Sequence, residues 1–203
     1  MGTVIIDSGG ANLASLQFAF SRLGEIASVT ADPEHIRAAT RVVLPGVGSA
    51  GNAMSRLRES GLAAVLPTLK QPVLGICLGM QLLFERSEEG DVDCLGIVPD
   101  TVRRLQPAAG KPVPHMGWNQ LSPLRADPLL EGISDQDYVY FVHGFAAPVS
   151  PVTVASAEYG ESLSAVVRHE NFWGTQFHPE RSASVGARVL ANFLKLGASP
   201  VPA

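Results

Sequence analysis

The string Gly75-Ile76-Cys77-Leu78-Gly79 sets a thiol between two glycines, after a short apolar run and before a helical pattern. This is the Gly-x-nucleophile-x-Gly form of a nucleophile elbow, with Cys in place of Ser. A sharp turn holds the nucleophile in a strained backbone conformation, and the glycines remove side chains that would collide across it. The thiol then projects above a sheet at a helix N-terminus, where free N–H groups and the helix dipole favour thiolate. A lone cysteine is more often a buried packing residue, and Cys94, which lacks this context, reads that way.

A thiol nucleophile needs a base. Of the five histidines, His178 ends a strand two residues before a carboxylate, in Gln176-Phe177-His178-Pro179-Glu180. In extended chain, residues two apart face the same side, so the imidazole of His178 and the carboxylate of Glu180 can meet. The imidazole would take the thiol proton and later protonate a leaving amine, while the carboxylate sets the tautomer. Two other readings stand beside this one. One is a solvated His and Glu in a proline turn. The other is a metal site from Cys77, His178 and Glu180, although the close Cys/His spacing of ordinary zinc sites is missing. His35 reads as solvated at a helix start, and His169 lies in a polar turn.

Positioning these groups requires a sheet. Thr3–Asp7, Ile26–Thr30 and Arg41–Leu44 read as strands, with a helix carrying Leu13, Leu16, Phe20 and Leu23 between the first two. Pro45-Gly46-Val47-Gly48 ends the third strand. Helical segments follow at Ala50–Arg58 and Leu62–Lys70, then a buried strand at Pro72–Ile76 and a helix at Leu78–Phe84. This alternation predicts a mostly parallel sheet flanked by helices, an α/β fold. From Leu95 to Gln120 short strands and proline-rich turns take over. Tyr138–Phe145, Thr153–Glu158, Ala165–His169 and Phe172–Phe177 follow as strands, the last three meandering antiparallel. A helix at Ser184–Leu196 closes the pattern, with Val185, Val189, Ala191, Phe193 and Leu196 as its inner side. Residues 1–197 read as one domain and 198–203 as a loose tail.

The chain has 203 residues, 46% hydrophobic and 17% charged, enough for one well-buried domain. A formal charge of −4 offers no reason to expect a nucleic-acid or anionic-membrane surface. Two cysteines make no disulfide framework, and no apolar run is long enough for a signal peptide or a membrane span. A cytoplasmic protein with reduced thiols is expected. No P-loop or dinucleotide fingerprint is present, and no cofactor is called for.

Taken together, Pro45–Gly48, Gly75–Gln81 and Gln176–Glu180 resemble the class I (triad-type) glutamine amidotransferases. The resemblance implies a flavodoxin-like fold and a glutaminase that forms a glutamyl thioester, with Cys77 as nucleophile, His178 as base and Glu180 as its orienter. It also implies an oxyanion hole of backbone N–H groups from Gly46, Val47 and Leu78. Gly48, Gln81, His143, Gly144 and Phe145 would hold the L-glutamine substrate. Gly144 stands where a hydroxyl residue is expected, so only its backbone is available. Within the family, Asp7, Asn12, Pro114-His115-Met116-Gly117-Trp118-Asn119 and Tyr140–His143 are similar to the glutaminase subunits of imidazole glycerol phosphate synthases, from about Thr3 to Leu196. That similarity implies a heterodimer with a (β/α)8-barrel cyclase subunit that receives the ammonia. Asn12, Met116, Trp118, Tyr138 and Arg181, the last where Lys is common, are the expected interface residues. Another glutamine-dependent synthase remains the alternative acceptor.

Overall fold

The computed structural model describes residues 2–7 and 13–197. The first half runs β1 (Thr3–Ile6), α1 (Leu13–Arg22), β2 (Ser28–Thr30), α2 (Pro33–Ala38), β3 (Arg41–Gly46), α3 (Ala50–Glu59), α4 (Leu62–Val65), β4 (Val73–Cys77) and α5 (Leu78–Gln81). A second group of strands follows: β5 (Phe84–Ser87), β6 (Val92–Asp93), β7 (Val98–Arg104), β8 (His115–Gln120), β9 (Ser122–Pro123), β10 (Tyr138–His143) and β11 (Phe145–Ala146). The chain then returns through β12 (Thr153–Glu158), β13 (Ser162–His169), β14 (Phe172–Thr175) and α6 (Ala183–Lys195).

The main sheet has the order β2-β1-β3-β4-β14-β13-β12-β9. Its pairings are parallel from β2 through β14 and antiparallel from there to β9. The mixed, mostly parallel α/β fold and the antiparallel meander are therefore as expected. Alternate residues of each central strand go to opposite faces, as a period of two requires. Ile5, Val43, Leu74 and Ile76 join Phe20 of α1 and Leu190 and Phe193 of α6 in one core. Val4, Ile6, Val42, Leu44 and Val73 join Met54 and Leu57 of α3 in the other.

Several boundaries differ from the sequence reading. The helix expected over Leu78–Phe84 is a single turn ending at Gln81. Phe84 instead opens β5, fully buried, in a second sheet of order β11-β7-β5-β6. Pairing with β7, a contact distant in sequence, overrides the local helical pattern. The segment Leu62–Lys70 is a short α-helix followed by a 3-10 turn at Leu66–Thr68, where Pro67 removes a backbone donor. The strand expected over Tyr138–Phe145 breaks at Gly144: β10 pairs with β8, and β11 joins the second sheet. In α6 the buried positions are Gly186, Val189, Leu190, Asn192 and Phe193, so Val185, Ala191 and Leu196 are only flanking. Asn192 goes inward because its amide donates to the carbonyls of Leu129 and Glu131. The expected tail at 198–203 lies outside the described residues.

Candidate active site

Cys77 ends β4, paired in parallel register with Gly46 at the end of β3. Its backbone sits at φ 54°, ψ −112°, a conformation L-residues avoid. Three glycines make that turn possible. A Cβ on Gly79 would lie 1.8 Å from the Leu44 carbonyl oxygen, one on Gly75 2.6 Å from that of Gly79, and one on Gly46 2.7 Å from the Gly79 nitrogen. The elbow expected from the sequence is therefore present. Its helix is a single turn, so little macrodipole stands behind Cys77. The stabilisation expected from the dipole falls instead to neighbouring donors.

One donor is His178. Its Nδ1 lies 2.8 Å from Glu180 Oε1, so Nδ1 carries the hydrogen and Nε2 is left for the thiol. Burial pulls the imidazole pKa down. The hydrogen bonds to Cys77 and Glu180, with the charges of both, outweigh burial and raise it to about 10. The charged form of the imidazole is thus favoured in the folded chain. A second donor is the Gln176 amide, whose Nε2 lies 3.9 Å from Cys77 Sγ. On another side Sγ lies 3.8 Å from the Val142 carbonyl, an acceptor that suits the thiol and not the thiolate. Cys94 lies 3.8 Å from the Val92 carbonyl, and burial, outweighing the charge of Arg58, pushes its thiol up to about 11.

These groups open on a cavity of about 320 Å³. Its lining brings Cys77, His178 and Glu180 together with Gly46, Val47, Gly48, Leu78, Gln81, His143, Gly144, Phe145 and Arg181. Segments far apart in sequence therefore converge at the C-terminal ends of β3 and β4, where open α/β sheets place their ligands. Among the described residues, no group of three or more His, Cys, Asp and Glu is arranged to hold a metal ion.

The structure refines two expectations. Gln81 does not offer its amide nitrogen to a ligand: Nε2 donates to the Phe145 carbonyl at 2.8 Å and to Gln176 Oε1 at 3.0 Å. Gly144 spends its carbonyl on Leu105 N at 3.0 Å. The cavity wall also includes Glu89, which the sequence reading missed. Its carboxylate accepts from Ala50 N at 2.8 Å. No spacing rule ties a turn glutamate to Cys77, and only folding brings them together. Gln176 stands within the His178 motif, but nothing local marks it as facing sulfur.

Of the expected interface residues, Met116, Trp118 and Tyr138 are 63%, 53% and 50% exposed. Strand alternation puts them on the outer face of the β8–β10 ribbon. Trp118 packs edge-on to Tyr140, and the Arg181 guanidinium lies over the Tyr140 ring at 4.9 Å. Asn12 lies outside the described residues.

Comparison with known proteins identifies the family. The family model for glutamine amidotransferase class-I matches residues 4–196. The chain is 56% identical over 192 residues to the imidazole glycerol phosphate synthase subunit HisH of Xanthomonas campestris pv. campestris, covering 95% of this chain and 96% of that one. It is 52% identical over 195 residues to the same-named subunit of Xylella fastidiosa, covering 96% and 98%. Among solved structures, a glutamine amidotransferase superposes with a TM-score of 0.75 at 20% identity, covering 97% of this chain and 99% of that one. A glutamine amidotransferase from Thermotoga maritima superposes at 0.70 with 16% identity, covering 98% and 99%. At those identities the structures speak for the fold alone. Elbow, fold, family match and full-length relatives agree: this chain belongs to the class I glutamine amidotransferases, in the group of HisH subunits of imidazole glycerol phosphate synthase.

Proposed function

We propose that this chain hydrolyses L-glutamine through a thioester on Cys77 and delivers the ammonia to a separate cyclase subunit. The observation that carries the reading is the strained Cys77, at φ 54°, sharing one cavity with a His178–Glu180 pair at 2.8 Å. The Cys77 thiolate attacks the side-chain amide carbon of glutamine. As the C–N bond breaks, His178 gives its proton to the departing nitrogen, which leaves as NH3. Neutral His178 then takes a proton from water, whose hydroxide attacks the thioester. Glutamate and the thiolate are released. Glu180 orients the imidazole and stabilises its charged form throughout.

Gly46, Val47 and Leu78 line the cavity beside Sγ, which supports a backbone oxyanion site there. Glutamine occupies the remaining space along Gly48, Gln81 and His143–Phe145. The exposed Met116, Trp118 and Tyr138 suit a docking face, since aromatic anchors concentrate binding energy. Free ammonia is mostly protonated in neutral water and then no longer a nucleophile, so direct transfer to the acceptor has a chemical reason. The curated relatives are named as synthase subunits, which supports a cyclase as that acceptor.

The test is a Cys77→Ala chain assembled with the cyclase. Glutamine-dependent synthesis should vanish while synthesis from added ammonium survives. Glutamine turnover by the variant would overturn the nucleophile assignment, and loss of both activities would overturn the division of labour between the two chains.

A further inference from the structure

Behind the cavity a continuous line of hydrogen bonds runs from β8 to the Cys77 sulfur. Its outer end is Asn119. The Asn119 Oδ1 accepts from Gln120 N at 2.8 Å, and Nδ2 donates to the Glu158 carbonyl at 2.9 Å, so backbone groups set this amide's orientation. The same Nδ2 reaches toward His115 Nε2 at 3.5 Å. His115 Nδ1 meets His143 Nε2 at 3.1 Å, and His143 Nδ1 meets the Phe145 carbonyl at 2.9 Å. That carbonyl also accepts from Gln81 Nε2, which donates in turn to Gln176 Oε1; Gln176 Nε2 then points at Cys77 Sγ.

The proton on each link follows by elimination. A carbonyl only accepts, so His143 Nδ1 must carry hydrogen. A neutral His143 then has a bare Nε2, and His115 must donate to it from Nδ1. His115 Nε2 is left bare, facing the Asn119 amide. Burial holds both rings neutral: the His143 pKa falls to about 3 and that of His115 to about 4. At the inner end, both hydrogens of Gln81 Nε2 are spent, so its oxygen is the atom turned to accept. Gln176, accepting through Oε1, has only N–H to show to sulfur. Reversing that amide would aim a carbonyl at the thiolate.

We propose that His115, His143 and Gln176 are positioning residues for the glutaminase reaction, in a relay of two arms that meet on the Phe145 carbonyl: the tautomer-locked histidine pair holds that carbonyl, which anchors the amide of Gln81 in the substrate cavity, and Gln176 sets an N–H donor on the Cys77 sulfur. The inference rests on the functional reading above. It gives His143 a role other than acid–base catalysis, since both ring nitrogens are engaged. It also ties the inner face of β8 to the reacting sulfur, while the outer face of the same strand carries Met116 and Trp118. His115 is stacked between Tyr159 and Phe141, at 3.8 and 4.7 Å between ring centroids, which holds the ring plane that the relay needs.

Three variants in the assembled complex test this. His115→Phe keeps an aromatic ring in the stack and removes the donor. His115→Asn keeps an N–H near the place of Nδ1 and removes the ring. Gln176→Met keeps the bulk and removes the donor to sulfur. His115→Phe should lower kcat/KM for glutamine by about 10- to 100-fold, mainly through KM, because His143 loosens its hold on the Phe145 carbonyl that anchors Gln81. His115→Asn should recover most of that loss. Gln176→Met should move the pH profile of Cys77 alkylation by iodoacetamide upward, since the thiolate loses a hydrogen bond.

The reverse ranking, with Phe near the parent and Asn impaired, means that packing is all His115 supplies and overturns the relay. An unchanged alkylation profile in Gln176→Met overturns it too, and that readout stands even if a His115 variant fails to fold. Failure of the parent complex to consume glutamine, or alkylation elsewhere than Cys77, overturns the functional reading itself. Synthesis from added ammonium by each variant complex confirms that fold and docking survive.

Discussion

Cys77 is buried and Cys94 half-buried, and their surroundings set opposite chemistries. Cys77 has an imidazole and an amide N–H on its sulfur, while Cys94 is held protonated by burial. At neutral pH, iodoacetamide should therefore label Cys77 first, read by peptide mass; preferential labelling of Cys94 would contradict the site. His178→Asn removes thiol activation and leaving-group protonation together. Its glutaminase rate should fall by about 10²–10⁴. Glu180→Gln should lose less, because that residue orients without transferring the proton. Steady-state kinetics with glutamine would show the ranking, and equal losses would mean Glu180 does more than orient.

The same histidines make stability depend on pH with opposite signs. His178 is raised from 6.5 to about 10, so between those values the folded chain holds a proton that the unfolded chain has released. Its contribution is complete below 6.5 and is lost as pH rises through 10. His143 and His115 are lowered to about 3 and 4, so their sign is reversed: stability falls as pH drops below 6.5. Urea midpoints measured across pH should decline on both sides. His178→Asn should flatten the alkaline decline and His115→Phe should lessen the acidic one.

At the scale of elements, the elbow depends on close backbone approach, not on helix strength. Gly79→Ala drives a Cβ to 1.8 Å from the Leu44 carbonyl oxygen, and neither β3 nor β4 can retreat from a buried parallel pairing. Overpacking of this kind costs about 1–3 kcal/mol or more, and Cys77 should also lose its strained geometry and its reactivity. Gly51, in α3, has nothing within 4 Å of the added atom. Gly51→Ala should stabilise the chain by about 0.5 kcal/mol through helix propensity, with activity unchanged. Thermal melting of the two variants should therefore move in opposite directions, and matching shifts would undo the argument.

For the molecule as a whole, the cavity and the exposed face of the β8–β10 ribbon are neighbours. Val142 of β10 touches the sulfur through its carbonyl, and Tyr138 and Tyr140 lie farther along the same strand. Docking on that ribbon can thus reach the site through one strand and the relay behind it. The isolated chain should turn over glutamine slowly. Liganded cyclase should raise the rate at least about tenfold, equivalent to about 1.4 kcal/mol. Trp118→Ala should weaken assembly or uncouple ammonia from synthesis while sparing the melting temperature, because the ring is half exposed. A full glutaminase rate without the cyclase would remove the activation from this picture and leave the triad untouched.

Local chemistry was written plainly in the sequence. An elbow needs glycines two residues either side of its nucleophile, and a His–x–Glu pair in extended chain faces one way, so spacing marked Cys77, His178 and Glu180 as candidates and the family resemblance gave them their roles. The parallel core was legible too, because strands buried on both faces read as apolar runs between helical patterns. Only the tertiary structure decided what lies across the chain. Phe84 left its expected helix because β7, distant in sequence, offered better burial. Glu89 reached the cavity from a turn without any motif. His115 and His143, which spacing left without a shared role, became a proton-ordered pair on the Phe145 carbonyl that also anchors Gln81. Hydrogen-bond direction depends on which donor meets which acceptor after folding, and no local pattern records that meeting.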